Sequence, residues 1–207
     1  MGLDETETSA DPPTGEDAGA ANRAGAAGRP QLGRTVALVG LMGAGKSSVG
    51  RRLASVLRAP FRDADDEIEK AAAMPISEIF ERFGEAYFRE GERRVIARLL
   101  ADRPHVLATG GGAYLDPETR RLLSRRAITV WLRVDLDTLV RRTERRDHRP
   151  LLKGRDTRAV LSDLIDARYP IYAEADIVVD SRDEPHETMV REIVERLEAF
   201  DGVVAAE

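Results

Sequence analysis

The stretch Gly40-Leu41-Met42-Gly43-Ala44-Gly45-Lys46-Ser47 constrains this chain more than any other. It reads G-x-x-x-x-G-K-[ST], the phosphate-binding loop. Thr35–Val39 before it is a short β-rich apolar run, and residues 49–57 after it carry apolar side chains at helical spacing. A strand, a glycine loop and a helix in that order separate the motif from an ordinary glycine-rich turn. The glycines let backbone N–H groups at Gly43, Ala44 and Gly45 turn inward around a polyphosphate. The helix N-terminus adds partial positive charge. Lys46 is placed to reach the β- and γ-phosphates, and the Ser47 hydroxyl to hold Mg²⁺.

Such a loop needs a parallel sheet around it, and the remaining sequence supplies one. Short apolar runs at Thr35–Val39, Pro60-Phe61, His105–Ala108, Ile128–Leu132 and Asp176–Val179 alternate with helical patterns. That alternation predicts an α/β fold with helices on both faces. A last helix at about Glu187–Phe200 carries Met189, Ile193, Val194 and Leu197 at core spacing. With 207 residues the chain is long enough for one such domain. Residues 1–33 differ: they hold no aromatic side chain and are dominated by Ala, Gly, Asp, Glu and Pro, so they are expected to be a disordered tail. The working division is therefore a tail, 1–33, and a domain, 34–207.

Composition limits the chemistry. There is no cysteine, which rules out disulfides and thiolate-bound metal, so any metal is oxygen-bound. Three scattered histidines, at 105, 148 and 186, suggest no metal cluster and read as incidental. No apolar run reaches transmembrane length, and no basic-then-apolar leader opens the chain, so a cytoplasmic location is expected. The net charge of −5 argues against nucleic acid, and an anionic ligand must be drawn by local arginines.

Five further stretches carry candidate chemistry. In Phe61-Arg62-Asp63-Ala64-Asp65, the two aspartates alternate along an extended segment and share a side, at the crevice outside the strand ends. One can support Mg²⁺ and the other accept from a substrate hydroxyl, although acidic residues also favour a helix start. Two helices meet near Gly84, and on the second Glu85, Arg89 and Glu92 lie at i, i+4, i+7. An arginine flanked this way is held for bidentate carboxylate recognition, unless the three are simply a solvated charged face. Val106–Ala108 runs into Gly110-Gly111-Gly112, which lets a ligand approach bare backbone. Five arginines fall between Arg141 and Arg149, which suits a flap closing over triphosphate. Arg168 stands near a helix end, where it can point into the crevice or merely complement the helix dipole.

Taken in series, the loop Gly40–Ser47, Asp63-x-Asp65, Gly84-Glu85-x-x-Phe88-Arg89-x-x-Glu92, Gly110-Gly111-Gly112, Arg149-Pro150-Leu151-Leu152 and Arg168-x-x-x-Tyr172 closely resemble shikimate kinase, from about Arg34 to Phe200. The resemblance implies a five-stranded parallel sheet of order 2-3-1-4-5, a substrate-binding helical region at about 63–93 and a lid at about 143–156. It implies phosphorylation of the 3-hydroxyl of shikimate by ATP, with Mg²⁺, by a monomer in aromatic amino-acid biosynthesis. By the same resemblance, Ser47 ligates the metal with support from Asp63. Lys46 and Ser48 belong to the phosphate site. Asp65 binds the substrate hydroxyls and is base or orienter. Arg89 and Arg168 clamp the carboxylate. Gly110, Gly111 and Gly112 close the pocket. Arg149 comes down on the phosphates with the lid, and Arg142 flanks the adenine. Three departures stand out: Ser48 where threonine is usual, Gly91 within the Arg89 helix, and a poorly matching stretch at 181–185. A gluconate kinase of the same fold is the nearest rival.

Overall fold

The computed structural model describes residues 32–144, 156–182 and 184–200. Most of the expected tail, residues 145–155 of the expected lid, Arg149 and His148 lie outside the described residues. Five strands, β1 (Thr35–Val39), β2 (Phe61–Asp63), β3 (Val106–Ala108), β4 (Ala127–Arg133) and β5 (Ile177–Asp180), pair in parallel in the order β2-β3-β1-β4-β5. β1 and β3 are buried throughout, and β4 up to its last residue, as strands covered on both faces must be.

Among the described residues, seven α-helices surround the sheet: α1 (Lys46–Val56), α2 (Ala64–Ala72), α3 (Ile76–Leu99), α4 (Pro117–Arg126), α5 (Leu136–Glu144), α6 (Thr157–Tyr172) and α7 (His186–Glu198). Their starts follow local chemistry. Asp63 caps α2 by accepting from the Asp65 N–H at 3.2 Å. Asp116 caps α4, with Pro117 in the first turn, where its missing N–H costs nothing. Asp156 caps α6. α1 instead starts from Gly45 at φ 89°, a left-handed conformation that turns the preceding loop back over the helix N-terminus.

The two helices expected to meet near Gly84 do so inside α3. Gly84 has φ 78° and ψ 176°, and no atom lies within 4 Å of where its Cβ would be. Backbone conformation, not crowding, therefore selects glycine here. Gly91, one heptad later, stays helical.

Register places the candidate site. β1, β3 and β2 align Leu38, Ala108 and Asp63 in a row across the sheet. Just beyond that row come the phosphate loop, the three glycines and the start of α2. Thr109 ties this edge together, its N–H and hydroxyl both donating to the Leu38 carbonyl, at 3.2 and 2.9 Å. β2 is an edge strand of three residues, and packing helps to fix it: a Cβ on Gly50 of α1 would stand 2.6 Å from the Phe61 ring. The Arg51 guanidinium lies over the same ring at 4.8 Å.

Candidate active site

On the phosphate loop, the Lys46 ammonium donates to the carbonyls of Gly40 at 2.8 Å and Leu41 at 3.0 Å. The charge is thus fixed over the loop by backbone. The Ser47 hydroxyl donates to Asp63 Oδ2 at 2.6 Å, while Asp63 Oδ1 caps α2. Both sequence readings of Asp63 hold at once, one for each carboxylate oxygen. A hydroxyl and a carboxylate side by side are hard oxygen donors, which fits Mg²⁺. Among the described residues no group of three or more His, Asp or Glu side chains gathers to hold a metal alone. The pair therefore suits an ion that brings most of its ligands with a nucleotide.

The three glycines form the floor of the crevice beside the phosphate loop, and their value is the space they leave. A Cβ on Gly110 would lie 2.7 Å from Glu92 Oε1 and 2.8 Å from Asp65 Oδ1. One on Gly112 would lie 2.6 Å from two atoms of the Arg89 guanidinium. Gly111 backs onto the phosphate loop, 3.3 Å from the Met42 nitrogen by the same construction, and its carbonyl accepts from the Tyr172 hydroxyl. Three consecutive residues thus touch two carboxylates, a guanidinium and the nucleotide loop.

The charges in this crevice perturb one another. Burial pushes the Asp65 carboxyl above its usual range; Asp63 adds to the rise and Lys46 opposes it. Asp65 as a residue is nevertheless exposed, so its carboxyl lies in a crowded but open crevice where water screens much of the effect. Glu92 is only 2% exposed. Desolvation raises its pKa, and Arg89 holds it down through an ion pair of 2.6 Å. Desolvation works against the Arg89 charge in turn, but Glu92 and Glu85 outweigh it and leave the guanidinium more firmly protonated. The expected face of Glu85, Arg89 and Glu92 is therefore partly interior: Glu92 is buried while Glu85 is exposed.

Tyr172 reports where the arginines converge. Burial drives its hydroxyl up to about 12, against the pull of Arg168 and, more weakly, Arg89. Both guanidinium groups thus act on one hydroxyl that is anchored to Gly111. On the nucleotide side, Arg142 donates to Ser181 Oγ and to the Arg182 carbonyl, both at 2.8 Å. The stretch at 181–185 that matched the family poorly contributes one side chain, the Ser181 hydroxyl, and one backbone carbonyl, that of Arg182, both holding Arg142.

Sequence reasoning placed Asp63, Asp65, Arg89, Arg168, the loop and the glycines at one edge, and the structure gathers them there. It gave Glu92 only the part of flanking Arg89, which the structure bears out, and gave Tyr172 no role. Glu92 had a signal, its i+3 spacing from Arg89; the Tyr172 contact with a backbone carbonyl sixty-one positions away had none. A separate cavity of about 240 Å³, lined by Pro60, Arg62, Asp102, Arg103 and His105, opens at the opposite edge and shares no residue with this group.

Comparison with known proteins agrees with this geometry. A family model described as shikimate kinase matches residues 42–198. A shikimate kinase of Caulobacter vibrioides is 57% identical over 168 residues, 81% of this chain and 84% of the relative. One of Paramagnetospirillum magneticum is 59% identical over 167 residues, 81% and 86% of the two chains. Among solved structures, a shikimate kinase from Acinetobacter baumannii in complex with shikimate superposes with a TM-score of 0.78 at 36% identity, covering 82% of this chain and 95% of that one. A gluconokinase from Sinorhizobium meliloti covers 83% and 99% at TM-score 0.55 and 18% identity, a likeness of fold alone.

Proposed function

Because the chain belongs to the shikimate kinase family, it is an ATP-dependent kinase acting on shikimate, and we propose that the residues gathered at Gly110–Gly112 carry the transfer to the 3-hydroxyl. The observation that supports this division of labour is the floor itself. Asp65 and Glu92 meet at one end of it, Arg89 at the other, and Tyr172 brings Arg168 to the middle. A small polyhydroxy acid needs guanidinium groups for its carboxylate and a carboxylate for its hydroxyls, a fixed distance apart.

In this reading Arg89 and Arg168 receive the acceptor's carboxylate. Arg89 is presented by Glu92 and Glu85, so little side-chain freedom is lost on binding. Asp65 accepts the proton of the attacking hydroxyl as its oxygen bonds to the γ-phosphorus and the bond to the β-phosphate oxygen breaks. Its raised pKa makes it a better acceptor than an ordinary aspartate. Lys46 and the N–H groups from Gly43 to Ser48 hold the phosphates and take up charge on the leaving group. Ser47 and Asp63 would hold Mg²⁺, which when bound would supply positive charge to neutralise the phosphates. Arg142 borders the adenine, held by Ser181 and the Arg182 carbonyl. Arg149, outside the described residues, is assigned to the phosphates on lid closure. Operation as a cytoplasmic monomer belongs to the same proposal and draws on the family; no described helix is long and apolar enough to cross a membrane.

A coupled assay of ADP release, with shikimate, gluconate and AMP offered in turn, tests the reading. Turnover with shikimate alone is expected. Turnover only with gluconate or AMP would refute the acceptor.

A further inference from the structure

His186, which reads as incidental in the sequence, opens α7 beside the phosphate loop. A Cβ on Gly45 would stand 3.9 Å from its Cε1, the carbon between the two ring nitrogens, so the nitrogen-bearing edge of the imidazole faces the loop. Its Nδ1 is buried and has no hydrogen-bond partner. Buried polar atoms in folded proteins are nearly always paired, so an orphan beside a phosphate loop calls for a partner that a bound nucleotide can supply. Two guanidinium groups lie near enough to act on the ring: Arg52 of α1 and Arg142 of α5. Desolvation, with these two charges behind it, lowers the pKa of His186, against Glu187. Arg52 is itself tied to α7 by an ion pair with Glu187 of 3.1 Å and to the first turn of its own helix by a bond to the Ser48 carbonyl. The imidazole is therefore set in a frame that joins the start of α1, the start of α7 and the arginine beside the base.

A neutral imidazole offers one donor and one acceptor and no charge. That suits the base or sugar of a nucleotide, which present both, better than its phosphates, which already have the loop, Lys46 and the helix N-terminus. We propose that His186 is a nucleotide-binding residue, its orphaned Nδ1 completing a hydrogen bond to the nucleoside part of ATP between the phosphate loop and Arg142. The proposal rests on the ATP-dependent reading above and is indifferent to the acceptor.

The chain contains only three histidines, so their ring nitrogens are resolvable by long-range ¹H–¹⁵N correlation spectra of the full chain. The His186→Phe spectrum identifies the His186 signals by their loss. Titration with ADP should shift the Nδ1 resonance of His186, and inorganic pyrophosphate at saturation should not. His186→Phe, which keeps a ring but no nitrogen, should raise the KM for ATP about tenfold, the loss of one hydrogen bond. The KM for the acceptor should stay within about twofold, a split that general misfolding does not give. An Nδ1 unmoved by ADP, or moved equally by pyrophosphate, overturns the proposal, as does an unchanged KM for ATP. Because ADP binding is read without any acceptor, failure here is distinguishable from a wrong substrate.

Discussion

At the scale of the residue, space matters as much as charge. Gly110 and Gly112 matter by lacking a methyl group, since a Cβ there would meet Asp65, Glu92 and Arg89, the side chains to which the proposal gives the acceptor. Gly112→Ala should leave the fold and the KM for ATP intact. It should raise the KM for shikimate at least tenfold by pushing the Arg89 guanidinium aside, as steady-state kinetics with each substrate varied will read. Asp65→Asn should lower kcat by about 10²–10⁴-fold while ADP binding by calorimetry is unchanged, the scale of a lost general base. The sign of the pH effect follows from the burial around Asp65. A base works deprotonated, so activity rises with pH through its raised pKa, and the acid limb of kcat should lie above the ordinary aspartate value of 3.8. Glu92→Gln keeps the shape but removes a buried charge from Arg89. It should cost about 1–3 kcal/mol of stability, seen as a lower denaturation midpoint, and weaken acceptor binding more than it slows the chemical step.

At the scale of the element, α3 is two helices joined by a residue that only glycine fills comfortably. The first half carries Phe80 and Phe83 at the surface, and the second carries Arg89 and Glu92. Gly84→Ala strains the backbone because φ is 78°, although nothing crowds the position. The expected result is a loss of about 1–2 kcal/mol in stability by denaturant titration, with the KM for ATP unaffected. This junction was legible in the sequence, as was the loop, because each leaves a local mark: a glycine between two helical patterns, an apolar run before a motif; the strand order came only with the family resemblance. What was not legible is contact between distant side chains. Spacing shows that Glu92 can meet Arg89 on one helix face. It does not show that Glu92 is buried, that its second oxygen points toward Gly110, or that Tyr172 reaches the Gly111 carbonyl. The stretch at 181–185 failed for a related reason: the Ser181 hydroxyl and the Arg182 carbonyl hold an arginine some forty positions away, and a carbonyl leaves no mark in side-chain identity.

At the scale of the whole molecule, the sheet is a register device. Parallel pairing sets Asp63, Ala108 and Leu38 abreast, and the phosphate loop, Asp65 and the three glycines follow within a few residues of that row. Metal is expected to be a visitor to this assembly and not a part of it: EDTA should abolish turnover yet leave the thermal midpoint of the nucleotide-free protein unmoved. The weakest link in the row is β2, three residues long and held from behind by Phe61 against Gly50. A methyl group added at position 50 would push on that ring and tilt the short strand that ends in Asp63. The damage would surface as a poorer apparent affinity for magnesium, although the altered residue belongs to the packed side of α1. A search for inactivating changes confined to the crevice would overlook it, and a survey of tolerated variation should find position 50 as intolerant as the loop itself.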